Sequence, residues 1–231
     1  MATRPIFIPN THENPKVEEK LLEFKWFAGF AKSQKQKSIA ELHKTANQCG
    51  IKKILEISSK SEEELGVKLS AFNLLINTKK NNNTFTVETA FQGSKVFKNG
   101  GPFKDLFGMD SLAAKRDIRL KESGSLIAFD FFGEIFPLKP RTFFYDWLYI
   151  NALVQNKSLS EEILNYEGFS DIEFNPKKSI NCQAHSVALY VSLEKTGYLK
   201  KALTSSSEFL AILSNHYNKQ KRNIVVQDTL I

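Results

Sequence analysis

Apolar residues recur along this chain at two spacings, and the spacing sets the element each stretch is expected to form. Between Gln34 and Gln48, Ile39, Leu42, His43 and Ala46 recur at three and four residues, which is helical, and Gly50 follows as a stop. Val87, Ala90, Phe91, Val96 and Phe97 give a second apolar pattern, read as a helix from Thr86 to Lys98 and ended by Asn99-Gly100-Gly101-Pro102. Asp110 is placed to cap a helix through Lys115. Pro140 precedes a long apolar helix from Arg141 to Gln155. Ser158 with Glu161, and Ser205 with Glu208, have capping-box spacing, and Ser179 to Lys195 reads as a helix closed by Gly197. Strand signals are fewer: an extended Phe7-Ile8-Pro9-Asn10, then Lys53 to Ile57 and Lys68 to Ile76. Thr78 to Thr84, with Asn81-Asn82-Asn83, is a polar loop.

This pattern predicts an α+β fold that is mainly α with a few short β-strands. Residues 56–231 form a single domain, and residues 1–55 form an extension packed on it. Pro15 excludes an early helix, and Trp26 to Phe30 is expected to dock on the core.

Composition narrows the class. The 231 residues are 42% hydrophobic and 25% charged, which excludes disordered and fibrous chains. Thirty-two Lys and Arg against 25 Asp and Glu leave a net charge of +7, which favours an anionic partner such as nucleic acid or a phosphate-rich ligand. Cys49 and Cys182 are too far apart to suggest a disulfide framework. The first residues lack the apolar run of a signal peptide, and no uncharged apolar stretch approaches the roughly 18 residues of a membrane span. A cytoplasmic protein is expected. No Cys-x-x-Cys or His-Glu-x-x-His occurs, so neither a metal site nor a cofactor is expected. His12, His43 and His216 are scattered. Cys182 and His185 stand three apart, but Cys182 reads as a packed thiol.

The segment from Val87 to Phe97 carries the most chemistry. On a helix, Glu88, Gln92 and Lys95 stand at i, i+4 and i+7 and form one polar stripe among large apolar residues. Spacing alone is more often produced by a solvated helix face with a weak Glu–Lys contact. A helix apolar on its other faces is usually buried, however, and its stripe then lines a cavity. Carboxylate and amine would perturb each other there, with the amine able to attack an aldehyde-like carbon and the carboxylate able to shuttle protons.

Val87-Glu88-Thr89-Ala90-Phe91-Gln92-Gly93-Ser94-Lys95-Val96-Phe97 resembles the signature helix of the NADAR superfamily, the YbiA-like proteins. Leu69-Ser70-Ala71-Phe72 is similar to its Leu-Ser-Asn-Phe segment, with Ala71 in the Asn position and Asn73 nearby. Ala114-Lys115-Arg116 through Arg119 resembles its Ala-Lys-x-x-x-Arg stretch, and Tyr145 to Leu164 its penultimate helices. The superfamily's tryptophan before the long helix has no counterpart between Phe136 and Pro140, and Trp147 comes later. Its Asp-x-x-Trp-Gly ending is not visible after Glu173, where Asn181-Cys182-Gln183 follows. The run from Phe91 to Phe97, Gly100-Gly101-Pro102, the segment Phe174 to Gln183 and the long N-terminal extension look most like the branch encoded beside DarT-type DNA ADP-ribosyltransferase toxins.

The resemblance implies an antitoxin that removes ADP-ribose from guanine bases of DNA, with ADP-ribosylated DNA, the ADP-ribose product and the cognate toxin as partners. It implies Glu88 and Lys95 as catalytic residues, Lys95 forming a Schiff base. Gln92, Ser70, Phe72, Asn73, Lys115, Arg116, Arg119 and Asn181 are the expected substrate contacts, and Lys177 and Lys178 the DNA contacts. Two alternatives stay open: an N-glycosidase on phosphorylated riboflavin-pathway intermediates, and a non-catalytic module that binds ADP-ribosylated DNA or the toxin.

Overall fold

The computed structural model describes residues 1–78 and 83–220, so residues 79–82 of the expected Thr78 to Thr84 loop lie outside the described residues. Strands β1 (Ala2–Pro9) and β2 (Val17–Phe24) form an antiparallel hairpin, followed by α1 (Lys32–Gln48). Then come β3 (Ile54–Glu56), α2 (Glu64–Lys68), β4 (Leu75–Asn77), β5 (Thr84–Thr86), α3 (Val87–Gly93) and β6 (Lys95–Phe97). A 3₁₀ turn at Lys104–Gly108 leads to α4 (Ser111–Lys115), α5 (Arg119–Glu122), β7 (Leu126–Phe131) and β8 (Glu134–Phe136). The chain continues through α6 (Phe143–Gln155), α7 (Lys157–Glu162), β9 (Gly168–Ser170), α8 (Gln183–Lys195), α9 (Leu199–Ala202) and α10 (Ser206–Lys219).

The described residues are 44% helix and 19% strand, a mixed α+β fold with more sheet than the sequence pattern suggested. A four-stranded sheet, ordered β2-β1-β9-β3, joins strands from both sides of residue 55. Period-two alternation gives it two buried faces. Ile6 and Ile54 point into a smaller core with Leu22, Phe24, Ile39, Leu42 and Ala46, whereas Phe7, Leu55 and Phe169 point into the main core with α6 and α8. The N-terminal hairpin and α1 therefore build one layer of the molecule. Trp26 packs against the smaller core, but Phe30, expected to dock with it, is 99% exposed.

Several predicted features hold: α1 with Gly50 beyond it, the Asp110 cap, the helix after Pro140, the Ser205 cap and the Gly197 stop. The predicted Thr86 to Lys98 helix instead stops at Gly93. A Cβ on Gly93 would sit 2.4 Å from the Phe107 ring, and the chain then turns so that Lys95–Phe97 pairs with β7. Of the predicted Lys68 to Ile76 strand only Leu75 and Ile76 lie in a strand, β4. Before it, a turn closes when Asn73 and Leu74 donate backbone N–H to the Ser70 carbonyl, each at 2.8 Å. Helix α7 begins at Lys157, not on a Ser158 cap. Helix α8 begins at Gln183 because Asn175 turns the chain through Ser179. The apolar run Leu126 to Phe136 folds as the β7–β8 hairpin, whose two-residue turn places Phe132 and Gly133 at φ 53° and 91°. Among the described residues no helix is long and apolar enough to cross a membrane.

Candidate active site

A cavity of about 610 Å³ opens where α3, α4, α6 and the exit of β9 meet, within the range of roughly 300–1,000 Å³ common for small-molecule sites. Helix α3 is its central wall. Thr86 caps the helix through a reciprocal pair with Thr89, and the Val87 and Glu88 N–H groups bond to the carbonyls of Leu74 and Ala71. All seven residues of α3 are buried, so its polar side chains face one another and the cavity.

Glu88 and Gln92, one turn apart, are linked by a 2.8 Å hydrogen bond from Gln92 Nε2 to Glu88 Oε1. Lys115 Nζ lies 3.7 Å from the same carboxylate oxygen and 5.1 Å from the Phe72 ring centroid. Lys95 joins them from β6 rather than from the helix. Its Nζ sits 5.0 Å from the ring centroid of Phe91, which lines the cavity, although Lys95 itself is not part of the lining. Burial lowers the Lys95 amine to about 8; the charge of Glu88 opposes that shift and Lys115 adds to it. The amine is therefore electrostatically part of the Glu88 site, and a substantial fraction is neutral near neutral pH. Gly101, at φ +84°, permits this placement: a Cβ there would lie 2.2 Å from the Lys95 carbonyl oxygen.

Of the other sequence-derived candidates, Ser70, Phe72, Gln92, Lys115, Arg116 and Asn181 line the cavity. Asn73 does not; it is exposed, and its Nδ2 donates to the Val67 carbonyl, which accounts for it as a turn residue. Arg119 is also outside the lining. It is paired with Asp105 at 2.6 Å and Asp117 at 2.9 Å and stacked on Phe103, so its charge is already neutralised and the expected pyrophosphate contact has no support here. Lys177 and Lys178 are exposed on the loop joining two lining residues, Phe174 and Ser179, not at a helix start. Cys182 is buried, as expected of a packed thiol, and His185 contacts Asp146 at 3.2 Å in a separate buried network.

Three lining residues, Ser70, Gln92 and Asn181, each keep a buried oxygen (Oγ, Oε1 and Oδ1) with no hydrogen-bond partner among the described residues. An orphaned buried polar atom costs about 1–3 kcal/mol, and three in one cavity suit a ligand with several hydroxyl or N–H groups. Lys60, Lys115 and Arg116 line the same space, so an anionic portion can be accommodated as well.

Two carboxylic acids escaped the sequence reading. Asp171, just after β9, lines the cavity, and its carboxyl is raised to about 8 by burial and by Glu56. Glu56, on β3, is pushed up mainly by its own burial. Neither stands in a local pattern that distinguishes it from a surface acid; the sheet that pairs β3 with β9 brings them together.

The family model described as DarT1-associated NADAR antitoxin matches residues 2–223. The chain belongs to that family. The match includes the N-terminal hairpin and α1, so in this NADAR family member the layer that supports Asp171 and Glu56 is part of the family's shared sequence. No curated protein was found to match.

Proposed function

We propose that this NADAR antitoxin hydrolyses the N-glycosidic bond between ADP-ribose and guanine in DNA, reversing the modification made by the associated toxin. The observation that carries the reading is the buried Glu88, with the half-buried Lys95 amine within reach of its charge, beside a cavity whose wall residues include three with orphaned polar atoms and several cations. The neutral Lys95 amine attacks the anomeric carbon of the distal ribose, and the bond to the guanine amine breaks. Glu88 takes the excess proton from the attacking nitrogen and delivers it to the ring oxygen, which opens the sugar to a lysine iminium. Water, deprotonated by Glu88, then adds; Glu88 returns that proton to the lysine nitrogen, and collapse of the adduct, with loss of its hydroxyl proton, releases the neutral lysine amine and an aldehyde that recloses as ADP-ribose. Gln92 Oε1 and Asn181 Oδ1 accept hydrogen bonds from ligand hydroxyls, while Lys115 and Arg116 face the pyrophosphate. Lys177 and Lys178 reach the flanking DNA phosphates.

The test uses an oligonucleotide carrying ADP-ribosyl-guanine. The wild-type chain should release ADP-ribose, and borohydride should trap a covalent adduct that Lys95→Ala lacks. Absence of the adduct on active enzyme, with activity retained in Lys95→Ala, overturns the covalent route. Turnover of a phosphorylated riboflavin-pathway glycosylamine without turnover of the oligonucleotide overturns the substrate assignment.

A further inference from the structure

The proposed reaction leaves one proton without a source: the departing guanine nitrogen must receive one as its bond to the anomeric carbon breaks. We infer that Asp171 is the catalytic acid that supplies it, and that Glu56, buried against Asp171, is the positioning residue that holds the proton there. The inference rests on the hydrolase reading above.

The hydrogen bonds distinguish the two acids. Glu56 is saturated as an acceptor: Oε1 receives Ser58 Oγ at 2.7 Å and the Ile172 N–H at 2.8 Å, and Oε2 receives Ser170 Oγ at 2.5 Å. Ser170 can donate to Glu56 because His43 Nε2 lies 2.8 Å from its hydroxyl and can donate in turn. Burial lowers His43 to about 4, so the ring is neutral, and its Nε2-protonated tautomer donates to Ser170 in this chain of bonds. These three donors favour the carboxylate form of Glu56 and oppose the upward push of its burial. Asp171 Oδ1 accepts from the N–H groups of Glu173 at 3.0 Å and Phe174 at 3.2 Å, while Oδ2 accepts a long contact from the Cys182 thiol at 3.9 Å. Oδ2, the less engaged oxygen, is the one that takes the proton.

The surroundings agree. Glu56 and Glu173 both press Asp171 toward its neutral form. Arg4, which interacts with Asp171 and Glu173, is itself partly desolvated, and the buried Tyr145 and Tyr149 phenols lie close enough to feel the Asp171 charge. Tyr145 also feels Glu88, and it lines the same cavity as both acids. Asp171 gives its proton to the guanine nitrogen as the anomeric C–N bond breaks, leaving guanine with its free amine. It recovers a proton from the hydroxyl of the water adduct as that adduct collapses to the aldehyde, so no external acid is consumed.

The experiment compares two leaving groups on wild type, Asp171→Asn and Glu56→Gln: the ADP-ribosyl-guanine oligonucleotide and a nitrophenyl glycoside of ADP-ribose, whose phenolate departs unprotonated. Asp171→Asn should lower kcat on the oligonucleotide by about 10²–10⁴-fold with KM little changed, and should leave nitrophenyl release within a few-fold of wild type. Glu56→Gln should move the alkaline limb of the oligonucleotide profile to lower pH, since removing a negative neighbour favours ionised Asp171. Equal losses on both substrates, or an alkaline limb unmoved by Glu56→Gln, overturn the inference. If neither variant folds, wild type decides: the alkaline limb must appear with the oligonucleotide and be absent with the nitrophenyl substrate. Failure of wild type on both substrates would instead count against the hydrolase reading itself.

Discussion

Gln92 Nε2 donates to Glu88 Oε1 across 2.8 Å within a helix buried along its whole length, and the other end of the same amide, Oε1, has no partner among the described residues. One side chain of the cavity wall therefore fixes the orientation of the acid and keeps an unused acceptor beside it. The Thr86 cap and the α3 contacts with Leu74 and Ala71 keep both groups in register.

Substitutions at these two positions should separate binding from chemistry. Glu88→Gln keeps the packing and removes the proton shuttle, so kcat should fall by about 10²–10⁴-fold. Gln92→Ala removes a ligand contact and the brace on Glu88, so KM should rise as well as kcat fall. Steady-state kinetics on the modified oligonucleotide check both; unchanged kcat in Glu88→Gln would remove the residue from the chemistry.

The Lys95 amine, lowered to about 8 by its burial, gives activity a defined acid limb. The neutral amine is the attacking form, so kcat should increase roughly tenfold per pH unit below about 8, where, on the oligonucleotide, it meets the alkaline limb set by Asp171. Lys115 adds to the lowering, and its replacement by Met should carry the limb to higher pH. A pH–rate series on wild type and Lys115→Met tests this; a limb that moves to lower pH, or does not move, contradicts the electrostatic account.

How far the sequence revealed this site depends on which part of it is local. Glu88 and Gln92 were legible because four-residue spacing on a helix brings two side chains together whatever the rest of the chain does. Lys95 was assigned to the same stripe by continuing the helical period. It reaches the site by another route, because Phe107 packs on Gly93 and the following residues join a strand. Arg119 looked like a free cation because its partners were not assigned; Asp105 lies 14 positions away and is brought close by the intervening 3₁₀ turn and α4. Asp171 and Glu56 stand 115 positions apart, and only the parallel pairing of β3 with β9 makes them neighbours. In the fold likewise, α1 and α6 were readable from their period, whereas β7 and β8 lay within an apolar run that carries no decisive period.

Gly101 offers a test of how Lys95 is held without touching a polar group. Alanine there must adopt φ near +84° and bring its Cβ to 2.2 Å from the Lys95 carbonyl oxygen, a contact that backbone has to move to relieve. Gly101→Ala should cost about 2 kcal/mol or more in stability and displace β6, so activity should fall further than stability alone accounts for. Thermal melts combined with kcat at a temperature where the variant is fully folded separate the two; full activity in the folded variant would show that the backbone at Lys95 tolerates displacement.

Asp171 also gives folding stability a pH dependence of known sign. Its carboxyl ionises near 3.9 in an unfolded chain and at about 8 in the folded one, where burial and Glu56 favour the neutral form. Between those values the folded chain keeps a proton that the unfolded chain has released. The associated stability is complete below about pH 4 and declines as pH rises, until it is lost above about pH 8. Asp171→Asn carries an uncharged group of the same shape and has no such dependence. Its melting temperature relative to wild type should therefore rise steadily from about pH 4 to about pH 8, and then level off. Glu56→Gln should flatten the wild-type slope in the same direction by relieving the repulsion between the two acids. Parallel melting curves for wild type and Asp171→Asn across that range would mean that Asp171 is ionised in the folded chain at neutral pH. The energetic cost of burying it beside Glu56 would then have to be offset by a cation, and Arg4 is the first residue to substitute in looking for it.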